Sequence, residues 1–560
     1  MILTVWGCRS SAVLLLGLTM VSIAAGQRSP ATASQPAAKL PRIAGTVVNA
    51  VTGNPLARAR VSLQDARNPQ NLRWTITSED GRFEFAQLAP GKYAMRGAKR
   101  GFLAAGYEQH EQFSTAIVSG VGLDTEHLVL RLAPVAVLSG RVLNEAGEPV
   151  RHATVSLYVE DRSAGVDRIQ RVRDESTDDQ GSYEFWPLGA GTYFLAATAS
   201  PWYALQLSSF GQPDRAEPSP TFDPSLDAAY PVTYYKDASE PDEASPIPLR
   251  GGDNLEADFH LNPVPALHLR FRVSDVELHG FIMPRLLKPS FDGIQDVPFH
   301  GMGTVSPGIF EIAGVPAGRY VVQMSRSQPP GQPIETDAVE LDLNADGQEL
   351  DSSSGTPAGS VHAAAKLKGQ EQLPRQLRIL LRNSRRRVVD EQEINDTGEV
   401  EFRNLAPGKY ELLAWAPGEA YSVLRISLAG EEIAGDVLPV TAGSSLAISI
   451  LLAGSAMRVE GFAKRKGQPV PGAMVVLVPE TPASNRDLFR RDQSDLDGSF
   501  SLRNVIPGSY TVCAIADGWD LDWAKPAVIA SYCKHGRPVV VPDRAEGSIE
   551  LESFVEVESR

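Results

Sequence analysis

The 560-residue chain carries 53 Lys and Arg against 68 Asp and Glu, a formal net charge of −15, and 42 % hydrophobic residues. That apolar mass is enough to offset chain entropy, so wholesale disorder is set aside, and the acidity argues against recognition of a phosphate backbone. Forty-eight Gly and 41 Pro suit a chain of many turns rather than long helices, and the length suits roughly three to five domains.

In chain order, residues 1–26 read as an export signal. Arg9 supplies the positive charge, residues 11–25 a short apolar core, and Ala24-Ala25-Gly26 the small residues for cleavage. The core is short for a membrane span, which needs about 20 apolar residues; an uncleaved N-terminal anchor is the alternative. No later segment reaches that length. The remainder is therefore expected to be exported, in a periplasm, at the cell surface or secreted, without a span. Residues 27–40 form a Ser/Ala/Pro linker.

A sixteen-residue pattern then recurs without a gap: DGRFEFAQLAPGKYAM at 80–95, QGSYEFWPLGAGTYFL at 180–195, PGIFEIAGVPAGRYVV at 307–322, TGEVEFRNLAPGKYEL at 397–412 and DGSFSLRNVIPGSYTV at 497–512. Three columns never vary within the chain: Gly81, Gly181, Gly308, Gly398 and Gly498; Gly91, Gly191, Gly318, Gly408 and Gly508; Tyr93, Tyr193, Tyr320, Tyr410 and Tyr510. The first Gly occupies a hairpin turn, where positive φ costs glycine nothing. Phe83-Glu84-Phe85 and its counterparts alternate with period two, the mark of a half-buried strand. The Pro-Gly step that follows predicts a type II turn with the glycine at positive φ. The Tyr opens the next strand, with its ring expected in the core and its hydroxyl on a backbone partner.

Upstream of this pattern lies a second one: an early Gly (Gly45, Gly140, Gly461), a Gly-x-Pro turn (Gly53, Gly147, Gly467 with Pro55, Pro149, Pro469) and a β-branched run such as Val475-Val476-Leu477-Val478. Modules tend to end on another apolar strand. About seven short strands in about 90–130 residues predict a sandwich. The expectation is an all-β chain of five tandem antiparallel β-sandwich modules at 41–133, 134–263 (with an aromatic, Pro-rich insertion), 264–353 (degenerate), 354–453 and 454–560.

The elements Gly45, Val61-Ser62-Leu63, Asp80-Gly81-Arg82-Phe83 and Pro90-Gly91-Lys92-Tyr93, repeated at 140–193 and 461–510, resemble the carboxypeptidase regulatory-like domain. The resemblance implies a prealbumin-like (transthyretin-type) sandwich, also described as a carbohydrate-binding-like fold. The same turn-strand-PG-x-Y order is similar to the B-type repeats of bacterial surface adhesins. It covers modules one, two and five well, four in part and three weakly. In exopeptidases this domain accompanies a separate zinc catalytic domain, and the sandwiches here leave no room for one.

The sequence carries none of the common catalytic signatures. None of the nine histidines, His110, His127, His152, His260, His268, His279, His300, His362 and His535, is followed by Glu three residues on, as a zinc peptidase would require. There is no G-x-S-x-G, C-x-x-C or P-loop. Asp495 and Asp497 share the spacing of a calcium loop, but its twelfth position is Ile506, so a hairpin turn is the better reading. A Lys–Asn isopeptide, suggested by the adhesin resemblance, finds no matching trio at constant offsets. The basic run Arg375, Arg378, Arg382, Arg385, Arg386, Arg387 reads as a solvated hairpin face. No catalytic residue, metal or cofactor is expected.

Two aromatic clusters lie outside the repeats. Residues 201–248 hold Trp202, Tyr203, Phe210, Phe222, Tyr230, Tyr234 and Tyr235, and the last module holds Trp519, Asp520, Asp522, Trp523 and Tyr532. Flat rings beside acids suit sugar stacking, so Trp519, Trp523, Tyr532, Trp202, Tyr203, Tyr234 and Tyr235 are candidate ligand-binding residues; packing against the sandwich is the competing reading. Cys513 and Cys533, which remain once Cys8 leaves with the signal, are either a disulfide or two buried thiols. The expected function is non-enzymatic binding or scaffolding at the cell envelope, with glycan or an envelope protein as partner. The alternatives are a spacer or adhesion stalk that binds a protein and, further off, an accessory to peptidase function.

Overall fold

The structure, a computed structural model, describes residues 40–560 except 121, 205–207, 210–225, 273–281, 307–308, 327–334, 352–358, 369–372, 375, 384–387, 406, 417–418, 434–436, 456, 484 and 543–546. The export signal, nearly all of the linker, Gly308, Phe210, Phe222, Arg375 and Arg385 to Arg387 lie outside the described residues.

Eight strands build the first repeat: β1 (Ile43–Asn49), β2 (Arg60–Asp65), β3 (Leu72–Ile76), β4 (Arg82–Phe85), β5 (Gly91–Ala98), β6 (Ala105–Gly106), β7 (Ile117–Ser119) and β8 (Leu128–Leu132). One sheet has the order β4-β1-β8; the other runs β3-β2-β5, with β6 and β7 also on β5. Alternation places one side of each strand in the core: along β4 the residues are exposed, buried, exposed, buried. Ile43, Val47, Phe83, Phe85 and Leu130 thereby meet Val61, Leu63, Tyr93 and Met95 between the sheets.

The chain is all-β and sandwich-like, as expected, but not wholly antiparallel. β1 pairs antiparallel with β4 and parallel with β8. The same arrangement returns four times: Ala136–Leu143, Leu267–Arg272, Gly359–Leu367 and Met457–Arg465 each take one antiparallel partner from the strand after the first turn and one parallel partner from near the end of the repeat. A parallel pair joins segments far apart in sequence and leaves no local signature.

The turns follow the sequence in one place and depart from it in another. Gly81, Gly181, Gly398 and Gly498 have φ of +75°, +70°, +80° and +80°. Gly91, Gly408 and Gly508 of the Pro-Gly step do not take the positive φ expected of them, whereas Gly318, which follows Ala317, has φ +156°. The left-handed residue comes earlier, at Gln87 (φ +54°), Gly314 (+78°) and Asn504 (+55°), which occupy one column of the repeat. The Tyr hydroxyl then bridges the turn. Tyr93, Tyr193, Tyr320 and Tyr510 each donate to the carbonyl four residues back, on Ala89, Gly189, Pro316 and Ile506, at 2.9, 3.1, 2.7 and 2.8 Å. A further staple was not anticipated. Thr77, Thr177 and Ser494, each three residues before the pattern begins, donate to Leu56, Val150 and Val470 carbonyls at 2.6, 2.7 and 2.6 Å.

Adjacent repeats share more than a linker. The hairpin joining Ile282–Ser290 to Gly293–Val297 presents Phe291, whose ring centroid lies 4.8, 5.3 and 5.5 Å from those of Tyr158, Phe194 and Tyr234 on the second repeat. Tyr158 donates to Gln295 at 2.7 Å and Tyr234 to Ser290 at 3.0 Å. These hydroxyls are satisfied inside the interface, as burial demands.

Candidate functional site

The chain returns on itself at the last repeat. Strand Arg490–Gln493 and the turn after it face the segment between β6 and β7, nearly four hundred residues earlier. Arg491 is the centre of this joint. Its guanidinium grips Glu111 at two points, 3.1 and 2.6 Å, and donates to the Ser163 carbonyl at 2.8 Å. It lies 4.4 Å over the Trp523 ring, with Phe113 at 5.5 Å and Trp519 at 5.7 Å. One side chain thus ties the first, second and last repeats, in the stacked, bidentate geometry that suits arginine.

Around it most polar groups are paired, although the Trp523 Nε1–H is buried without a hydrogen-bond partner among the described residues. Gln493 donates to the Glu108 carbonyl at 2.6 Å and to Thr115 at 2.8 Å. Lys92 of β5 donates to Asp495 at 2.7 Å and to Ser499 at 2.8 Å. Backbone pairs close the seam: Ala116 N–H to Asp495 Oδ1 at 2.9 Å, Leu496 N–H to the Ala116 carbonyl at 3.0 Å, and Ala524 N–H to the Gly165 carbonyl at 3.0 Å. Burial pushes the Asp495 carboxyl up and Lys92 offsets part of that. Burial also pushes Asp492, beside the seam, up to about 6, although the Ser501 N–H pulls the other way.

The aromatic residues of the last repeat are components of this joint. His110 stacks on Trp519 at 5.0 Å with 4° between the rings, and Trp519 Nε1 donates to the Gly472 carbonyl at 3.2 Å. Trp523 is 8 % exposed, and Tyr532 is partly buried against the same cluster. His110 thus lies on a face of Trp519 and Arg491 on a face of Trp523. Cys513 and Cys533 form a disulfide that fastens the far end of the Trp519–Trp523 loop, through α1 (Pro526–Tyr532), to the strand Gly508–Ala516. Asp495 closes a hairpin turn through Gly498 N–H, at 2.8 Å. Among the described residues no three His, Cys, Asp or Glu side chains gather in a way that could hold a metal.

The aromatic residues of the insertion are not one cluster. Tyr234 is fully buried in the interface with the third repeat, and Tyr235 packs edge-on to Phe259 at 6.3 Å. Trp202 stands apart, 80 % exposed, with Tyr203 edge-on at 5.8 Å. Tyr203 and Tyr230 both donate to Glu145, at 2.6 and 2.8 Å; burial and this carboxylate push the Tyr203 hydroxyl up to about 12. Of the basic run, Arg378 pairs with Glu391 at 2.9 Å and Arg382 with Glu411 at 2.6 Å. Sequence reasoning missed Arg491, Glu111, His110 and Gln493, because nothing local distinguishes them from surface residues. The Thr/Thr/Ser staple column was open to it.

Residues 42–118 match the family model of the carboxypeptidase regulatory-like domain. That span is most of the first repeat. No curated protein sequence matches the chain. Among solved structures, the Bacillus anthracis TIE protein is similar at 13 % identity and a TM-score of 0.17, over 72 % of this chain and 69 % of that one. A streptococcal ancillary pilin is similar at 11 % identity and a TM-score of 0.19, over 51 % and 98 %. GBS52, the minor pilin of Streptococcus agalactiae, is similar at 13 % identity and a TM-score of 0.20, over 40 % and 96 %. At TM-scores this low the likenesses carry no argument about what the chain does.

Proposed function

We propose that this chain is an exported, non-catalytic binding scaffold that acts at the cell envelope or outside the cell. One observation carries the reading. The groups best suited to chemistry by type, Arg491, Lys92, His110, Asp495 and the Trp519–Trp523 loop, are spent on holding the first, second and last repeats together. Lys92 and Asp495, 403 residues apart in sequence, are hydrogen-bonded; a spacer stalk of independent modules would have no use for such a bond. The test is retention of envelope protein or glycan on the immobilised exported chain. Hydrolysis of peptide or glycosidic bonds that survives purification and dies with chelator would overturn the non-catalytic reading.

Carbohydrate binding is the second reading, and the exposed Trp202 beside Tyr203 and Glu145 favours it over the joint. Trp202→Ala is expected to abolish retention on whichever glycan an array screen selects. Unchanged retention removes this site. Trp519→Ala and Trp523→Ala are expected to loosen the joint instead.

A further inference from the structure

The sheet that carries β2 and β5 has an outer face, and its fate differs among the repeats. In the second repeat the outward residues Tyr158, Phe194 and Tyr234 are covered by the Phe291 hairpin of the third. In the fifth, Val476 and Ile515 on the corresponding strands are covered by the chain's own Trp523 loop. In the first repeat the face stays open among the described residues. Register places Leu72, Trp74 and Ile76 of β3 opposite Gln64, Ser62 and Arg60 of β2, all pointing away from the core. Their exposures are 43, 58 and 67 %. Arg60 lies 4.9 Å over Trp74, and Arg96 extends the same row. β3 is also the edge of its sheet. An apolar, β-prone edge strand is a template for association unless something covers it.

Charge indicates the occupant. Residues 41–133 carry eleven Lys and Arg against eight Asp and Glu, whereas residues 134–560 carry 39 against 60. The open face therefore belongs to the basic end of an acidic chain. Two such faces stacked on each other would set Arg60 and Arg96 against their own copies. The acidic remainder of another molecule suits them instead, and a contact between unlike surfaces repeats rather than closes. We propose that the Leu72–Trp74–Ile76 face docks on the acidic body of a second copy of this chain, joining copies head to tail. This goes beyond the scaffold reading, which a monomer would satisfy equally.

Sedimentation of the full exported chain from low to high micromolar concentration tests it. The expected result is a coefficient that rises with concentration, continues past the dimer and falls back at high salt. Trp74→Asp should raise the dissociation constant about thirtyfold or more, the usual effect of losing a Trp anchor. The residue is exposed, so thermal melting should be unchanged; should that variant fail to fold, Ile76→Asp and Arg96→Glu serve in its place. A chain that stays monomeric throughout, one that stops at a closed dimer, or association undiminished by these substitutions overturns the proposal, whatever else binds the face.

Discussion

Glu111→Ala is the sharpest test of the joint. The Arg491 side chain is 5 % exposed and its Glu111 partner 22 %. An exposed pair would be worth about 0–1 kcal/mol, but removing one partner of a buried pair strands the other charge, at about 3–5 kcal/mol. The Ser163 carbonyl and the Trp523 face remain to Arg491, so the low end applies, about 3 kcal/mol. That corresponds to about a hundredfold in the docking equilibrium of the first repeat on the last. Glu111→Gln keeps the shape and a neutral acceptor and should cost less. Glu111→Ala with Arg491→Met should recover part of the loss, because no charge is then left unpaired. The amides of Ala116 and Leu496 report directly, since each is bonded across the seam. Their hydrogen exchange should accelerate by about the same hundredfold in Glu111→Ala, while amides inside β2 and β5 stay protected. Unchanged exchange at Ala116 and Leu496 would refute the role given to Arg491.

Two further outcomes follow from the same region. Asp492, raised to about 6 in the folded chain, binds its proton more tightly folded than unfolded, so stability should fall as pH rises from about 4 through 6 and stay lower above. Asp492→Asn keeps an acceptor for the Ser501 N–H, which bonds Asp492 at 2.6 Å, and should stabilise the chain by about 1–3 kcal/mol at neutral pH and hardly at all near pH 4; a gain that does not vary with pH would count against this. Reduction of Cys513–Cys533, or a Cys533→Ala substitution, frees one end of the loop that carries Trp519 and Trp523. Tryptophan fluorescence should then shift to the red and Ala524 exchange accelerate, and an unaltered spectrum would show that packing alone holds the loop.

Much of this was legible in one dimension, for a definite reason. A glycine at positive φ, a period-two alternation and a Tyr hydroxyl reaching back four residues are all settled within a few neighbours, so the sixteen-residue pattern announces a β-sandwich wherever it occurs. The type II turn failed because Gln87 and Asn504, residues without glycine's licence, take the left-handed conformation in its place. The parallel closing strand was invisible because its partner lies most of a repeat away. The candidate site was the least legible. Trp519 would read the same in sequence whether a sugar or His110 lay on its face, and Leu72, Trp74 and Ile76 alternate just as core residues do. Local chemistry chooses strand and turn; whether a ring face is covered depends on which distant segment arrives there, and that is a property of the assembled fold.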